Sequence, residues 1–307
     1  MMNFSMFVSW GIFEIVRQFT NSRKRYGSPR RDIPKNASAL GYNKVMDISL
    51  LVPALPGWIA GLLVNYVSDV LPVTRRLSQP ACPNCRTKFS WMDYLTLRAC
   101  RNCGTRRSPR TWIVQIAFIA SFLYFWLFPP PGLGLPLSLI VLTYFGVVIV
   151  IDLEHRLILH PTSLFGAVLG LVVGTYIYSR NNGILSGALT SLLGGIAGFV
   201  IMYLLYQLGA LVARLRARRM RAAGQAEDDE EALGSADVLL TGILGLMLGW
   251  PNIILGITAG ALVGGIFGLL ALIGHLVKRR YAKNSLMTFI PYGPSLVLGA
   301  FYILYFF

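Results

Sequence analysis

Acid is scarce in this chain. Its 307 residues hold 13 Asp and Glu against 28 Lys and Arg, and only 13% are charged while 55% are apolar. A soluble domain carries about a quarter charged residues. These proportions, with a mean hydropathy of +0.59, exclude an ordinary soluble globule and point to an all-α polytopic membrane protein. In such a chain Lys and Arg gather in cytoplasmic loops, so the net charge of +15 reads as a topology signal, with no nucleic acid as partner. Cysteine is scarce too. Four residues in two close pairs exclude a secreted disulfide scaffold and suggest a metal site in a reducing compartment. The three histidines, His155, His160 and His275, have no ligand spacing with one another. No G-x-S-x-G offers a serine nucleophile and no H-E-x-x-H offers hydrolytic zinc. The N-terminus lacks the basic n-region and small-residue cleavage site of a secretory signal peptide, so the first span must direct insertion.

What is present is a series of apolar runs. The first span covers about Ile48 to Val70, and seven more follow near Trp112–Phe128, Gly134–Ile151, Pro161–Tyr178, Ile184–Val212, Val238–Leu248, Ile253–Leu276 and Leu286–Phe306. That makes about eight transmembrane helices. Residues 1–47 read as an interfacial helix followed by a basic linker, residues 71–111 as a cytoplasmic subdomain, and residues 112–307 as the membrane core. The connections 129–132 and 249–252 carry no charge, whereas Arg214–Arg221 and Lys278–Lys283 are densely basic, so inside and outside alternate consistently.

Two acids stand out against this apolar background. Asp152 closes the run that ends V-V-I-V-I-D, and Asp237 opens the run after G-S-A-D. An ionisable residue at the edge of a span is a candidate functional site, although either one alone is also what an ordinary span boundary looks like. On the alternation of charge both fall on the cytoplasmic side. Two close carboxyls share a proton near working pH. One can then take a proton from water while the other polarises a scissile carbonyl, which is peptidase chemistry without a covalent intermediate.

The cytoplasmic segment holds C-P-N-C at Cys82–Cys85 and C-R-N-C at Cys100–Cys103. A double C-x-x-C at this separation closes on one tetrahedral zinc, and four thiolates leave no open position for catalysis. An iron–sulfur cluster and a redox dithiol are the alternatives. Just before Asp237, the acidic cluster Glu227–Glu231 reads either as a solvated loop paired with Arg214–Arg221 or as an attractor for a basic peptide.

The order of these features resembles the bacterial type IV prepilin peptidase family, membrane aspartyl proteases of the GxGD kind. The matching stretches are G-L-L-V-N-Y-V-S-D-V-L-P (61–72), the double C-x-x-C, D-L-E-H-R-L-I (152–158), G-S-A-D-V (234–238) with L-G-W (248–250), and I-P-Y-G-P-S-L-V-L-G-A (290–300). The resemblance implies a multi-pass protein of the bacterial cytoplasmic membrane that cleaves the basic leader of prepilins or pseudopilins on the cytoplasmic side. Asp152 and Asp237 would be its catalytic aspartates and Cys82, Cys85, Cys100 and Cys103 its zinc ligands. It also implies N-methylation of the new terminus from S-adenosylmethionine. An inactive relative serving as an assembly scaffold and a proton-coupled transporter are the competing readings. The chain departs from the family pattern at Ala236, Leu239 and Gln115, where the family has glycine, lysine and glutamate. Because alanine replaces glycine beside an otherwise intact motif, residue 236 is expected to have negative φ.

Overall fold

A computed structural model describes residues 39–157, 159–222, 234–277 and 292–307. The expected interfacial helix near the N-terminus, the acidic cluster Glu227–Glu231 and the basic stretch Lys278–Lys283 lie outside the described residues. Two compact units make up the chain, Met1–Ile48 and Ser49–Phe307. Of the first, residues 39–48 are described and are helical.

The architecture is all-helical, as the apolar runs require: α1 (Ala39–Thr74), the short α2 (Trp91–Leu95), α3 (Pro109–Leu127), α4 (Leu135–His155), α5 (His160–Ala222), α6 (Ser235–Leu248), α7 (Asn252–Val277) and α8 (Gly293–Phe306). Helix α5 is broken once. Gly183, at φ 82° and ψ 163°, is non-helical, a conformation open to glycine without penalty. The break divides α5 into two membrane-length arms, His160–Arg180 and Gly183–Leu215, where the sequence suggests a connecting loop. Counting those arms, six helices among the described residues are long and apolar enough to span. Helices α6 and α8, with 14 residues each, stand where the sequence suggests spans but are too short to be counted as such; α8 is also shorter than its run Leu286–Phe306. At 1.5 Å per residue each is about 21 Å long, against a hydrocarbon core of about 30 Å.

The short helices are the best covered. Leu240, Leu244, Met247, Leu296 and Val297 are almost fully buried, together with Tyr144 and Phe145 of α4 and Val173 of α5. By contrast Leu262, Ile266 and Leu269 of α7 are exposed, as lipid-facing residues should be. Helix α6 reaches its place through glycine. A β-carbon on Gly194 would meet the carbonyl oxygen of Gly245 at 2.4 Å, and one on Gly198 would meet that of Thr241 at 2.6 Å. The backbones of α6 and the second arm of α5 are therefore in direct contact, with no room for a methyl group. The Ser191 hydroxyl donates to the Leu246 carbonyl (2.7 Å), and the Tyr178 hydroxyl donates to that of Leu248 (2.5 Å). Both bonds lie near the C-terminal end of α6 and pin it, leaving its N-terminus with Asp237 at the opposite end.

Candidate active site and metal centre

Asp152 stands in the last turn of α4. The helix stops because Arg156 adopts a left-handed conformation (φ 51°) and donates its N–H back to the Asp152 carbonyl (3.0 Å), the usual closure of a helix C-terminus. Asp237 stands in the first turn of α6, after Gly234 in an extended conformation. The Asp237 N–H donates to the Gly234 carbonyl (3.1 Å), and its own carbonyl accepts from the Thr241 hydroxyl (2.7 Å). Asp152 is buried and Asp237 half-buried. The two carboxyls lie within electrostatic reach of each other, so the structure brings together the acids that the sequence singles out. The buried Oδ2 of Asp152 has no hydrogen-bond partner among the described residues.

A third element closes this site. Gly293, the first residue of α8, lies directly against Asp152: a β-carbon there would sit 2.4 Å from Oδ2 and 3.1 Å from Cγ, with Leu240 of α6 at 3.5 Å. Tyr292 is within electrostatic reach of Asp237. The sequence gives P-Y-G-P only as a matching stretch without a role. Its signal is a glycine between bulky residues at the start of a helix, which becomes informative once the neighbour is known.

The cysteines form a second centre. Cys82 and Cys103 sulfurs are 3.6 Å apart, as are those of Cys85 and Cys100, and all four ligand atoms lie within 4.8 Å of one another. A disulfide needs about 2.05 Å, so these are free thiols. Tetrahedral zinc with Zn–S bonds of about 2.3 Å separates its sulfurs by roughly 3.8 Å. The four cysteines therefore fit one metal ion, and sulfurs this close leave no room for the inorganic sulfides of a cluster.

Each pair is built by the same local rule. In C-P-N-C-R-T and C-R-N-C-G-T, the residue after the second cysteine takes positive φ, Arg86 at 57° and Gly104 at 69°. The first cysteine's N–H then bonds the threonine carbonyl, Cys82 to Thr87 (2.9 Å) and Cys100 to Thr105 (3.0 Å). The halves also exchange side chains, Asn84 donating to the Thr105 hydroxyl (3.3 Å) and Asn102 to that of Thr87 (3.1 Å). Bonds from the Thr87 side chain and backbone lower the Cys85 thiol to about 6. Thr105 lowers Cys103 in the same way. Both therefore favour the thiolate that a metal requires. Sequence reading found the cysteines but missed the threonines and asparagines, although the repeated C-x-N-C-x-T was there to be seen.

Between the two centres lies a charged junction. Arg110, in the first turn of α3, pairs with Asp69 of α1 and with Glu154 of α4 (2.5 Å). The Tyr94 hydroxyl donates to Asp69 (2.7 Å). Tyr94 belongs to the small core of the cysteine segment, beside Cys82, Phe89 and Cys100.

Comparison with known proteins finds relatives of this chain. Residues 139–269, which contain both aspartates, match the Type IV leader peptidase family. The chain is 27% identical over 237 residues to a "Prepilin leader peptidase/N-methyltransferase" of Pectobacterium carotovorum subsp. carotovorum, covering 71% of each chain. A protein of the same name from Myxococcus xanthus (strain DK1622) is 27% identical over 234 residues, 71% of this chain and 61% of the relative. One from Klebsiella pneumoniae is 26% identical over 214 residues, 64% and 83%. No solved structure matches. The segment that carries the two aspartates is thus similar to the type IV leader peptidase family, and the chain as a whole is similar to proteins named prepilin leader peptidase/N-methyltransferase.

Proposed function

We propose that the chain is a membrane aspartyl endopeptidase that removes the leader of type IV prepilins or pseudopilins, with Asp152 and Asp237 as its catalytic pair. The observation that carries this reading is the pairing itself: two acids from distant helices within electrostatic reach, one with a buried oxygen that no described group engages. A water between them loses a proton to the ionised carboxylate as its oxygen attacks the scissile carbonyl carbon. The protonated partner donates a hydrogen bond to the carbonyl oxygen. Collapse of the tetrahedral intermediate breaks the C–N bond, and the leaving amine takes up the proton, so the pair is restored and one water is consumed. Low solvent access at Asp152 strengthens these interactions.

The basic loops favour a cytoplasmic-membrane protein whose aspartates and cysteines face the cytoplasm. Cys82, Cys85, Cys100 and Cys103 would hold zinc, which, when bound, cross-links the two halves of their segment through a closed tetrahedron. The relatives' names favour a second activity, N-methylation of the newly exposed terminus, for which S-adenosylmethionine would be the methyl donor.

The test is purified protein in lipid vesicles with a leader-bearing prepilin, with and without S-adenosylmethionine, and mass measurement of the products. Cleavage that disappears in both Asp152→Asn and Asp237→Asn, with metal content intact, is the expected result. Near-normal turnover in either variant removes that residue from the mechanism. A mass increase on the new terminus only with the methyl donor present establishes methylation.

A further inference from the structure

We propose that Arg110 is a positioning residue for the catalytic pair: through Glu154 it holds the last turn of α4, and through Asp69 and Tyr94 it ties that turn to the cysteine segment. This rests on the peptidase reading above. The reaction needs Asp152 at a fixed place, yet Asp152 occupies the part of α4 least able to hold itself. The final carbonyls of a helix lack intrahelical partners, and the last turn is where helices fray. Among the described residues, the Arg156 N–H bond to the Asp152 carbonyl is what closes this one from within. Gly293 touches Asp152 on one side. Glu154 is two residues on, about 200° further round a helix of 3.6 residues per turn. It therefore projects from the opposite side of α4, and there it meets Arg110 at 2.5 Å. The last turn is held from the back by the arginine while its front faces α8.

Arginine suits this task because its rigid fork can engage two carboxylates from two helices at once, as a lysine ammonium cannot with the same geometry. One nitrogen meets Asp69 and the other meets Glu154, so α1, α3 and α4 are joined at one planar group. The group is 20% exposed, which limits screening by solvent. Its own placement is determined by sequence: Ser108 accepts the Arg110 N–H (3.4 Å) and Pro109 starts α3, so Arg110 sits at a capped helix start. On the far side Tyr94 fixes Asp69. Burial, and then the Asp69 charge, push the Tyr94 phenol well above its ordinary range, so it stays a donor at any working pH. Arg107 packs its guanidinium over the Tyr94 ring at 4.3 Å and the Phe89 ring at 4.1 Å, which seats the tyrosine.

The test uses the full-length protein in vesicles with the same prepilin. Glu154→Gln, which keeps the size of the side chain and removes its charge, and Arg110→Lys should each lower kcat by about ten- to a hundredfold, as expected for a misplaced reacting group. KM should stay within about twofold, because binding of the rest of the substrate is untouched. Arg110→Lys combined with Glu154→Gln should be no slower than the slower single variant, since both remove one link. Hydrogen exchange gives a reading that needs no activity: amides at residues 152–156 should lose about tenfold protection in Glu154→Gln, while those of α6 stay unchanged. Unchanged kcat and unchanged exchange in Glu154→Gln, additive losses in the double variant, or loss of bound metal and thermal stability in step with the loss of rate would each overturn the proposal. If the wild-type chain cleaves no prepilin, the peptidase reading fails while exchange still decides whether Arg110 holds α4.

Discussion

The cysteine segment and the aspartate site are assembled in opposite ways. Around the cysteines nearly every bond is local: each half closes on itself within six residues, and the apolar core shared by the halves amounts to little more than Cys82, Phe89, Tyr94 and Cys100. So small a core cannot hold a fold by burial, and a metal cross-link through the four cysteines would supply what burial does not. Around the aspartates almost nothing is local. Asp152, Asp237 and Gly293 come from three helices, brought together by buried apolar residues and by backbone contacts that only glycine permits. One region should therefore respond to thiols and metal, and the other to added methyl groups.

The sharpest way to test that contrast is a single methyl. Gly293→Ala places a carbon 2.4 Å from a carboxyl oxygen of Asp152. Real side chains do not tolerate such a contact, so Asp152 or the start of α8 must move, and about a hundredfold loss of kcat is expected from a shift on the order of 1 Å. Metal content should not change. Normal turnover in Gly293→Ala would mean that Asp152 has freedom that the packing denies it. Further from the chemistry, Gly245→Ala pushes a methyl into the Gly194 carbonyl, 2.2 Å away, and should destabilise the membrane core by about 1 to 3 kcal/mol. Denaturation in detergent, followed separately at the core and at the cysteine segment, checks that only the core is affected.

Metal removal probes the other half. A strong chelator should unfold the cysteine segment and leave the helical core folded, with the loss of rate confined to what Arg110 transmits, about tenfold. Acid should act similarly. Cys85 has its thiol lowered to about 6, so without metal its thiolate is present at neutral pH, and as pH falls protons compete with the metal for the sulfurs and metal affinity drops. Metal affinity measured against pH checks this, and an affinity that is flat between pH 8 and 5 would contradict it.

How well each region could be read from sequence follows from the same difference. The cysteine cluster was legible because its sulfurs, their spacing and their turns are neighbours in the chain, so C-x-x-C twice over was nearly the whole structure. The aspartates were legible for another reason: in so apolar a chain an acid at a span edge has few explanations, and chemistry suggested that two such acids meet. What made them meet was not legible. Nothing in L-L-G-G-I-A-G names Gly245 or Thr241 as the backbone it will touch, since small-residue packing carries no address. Arg110 was hidden for a related reason. Among so many cations in its loop it counted as one more sign of topology, and only Asp69 and Glu154, on other helices, reveal its task. The run that α6 occupies reads as a span in the sequence because a buried helix held on both sides is apolar throughout without having to cross the whole bilayer.

The smallest expected effect belongs to the residue that departs from the family pattern beside Asp237. Ala236 lies inside the first turn of α6, half-buried, and is not among the residues with positive φ, as its replacement of a glycine suggested. A glycine restored at this position therefore relieves no backbone strain. It removes one methyl and adds backbone freedom, at a helix-propensity cost of up to about 1 kcal/mol. Since the turn is also held by the bond from the Asp237 N–H to the Gly234 carbonyl, the geometry of the carboxyl should survive. Ala236→Gly is expected to change kcat by less than about threefold, a shift worth under 1 kcal/mol of barrier. A large gain in activity would instead show that alanine had been holding Asp237 out of place, and that the packing around α6 is less decisive for the proposed catalytic pair than the contact at Gly293.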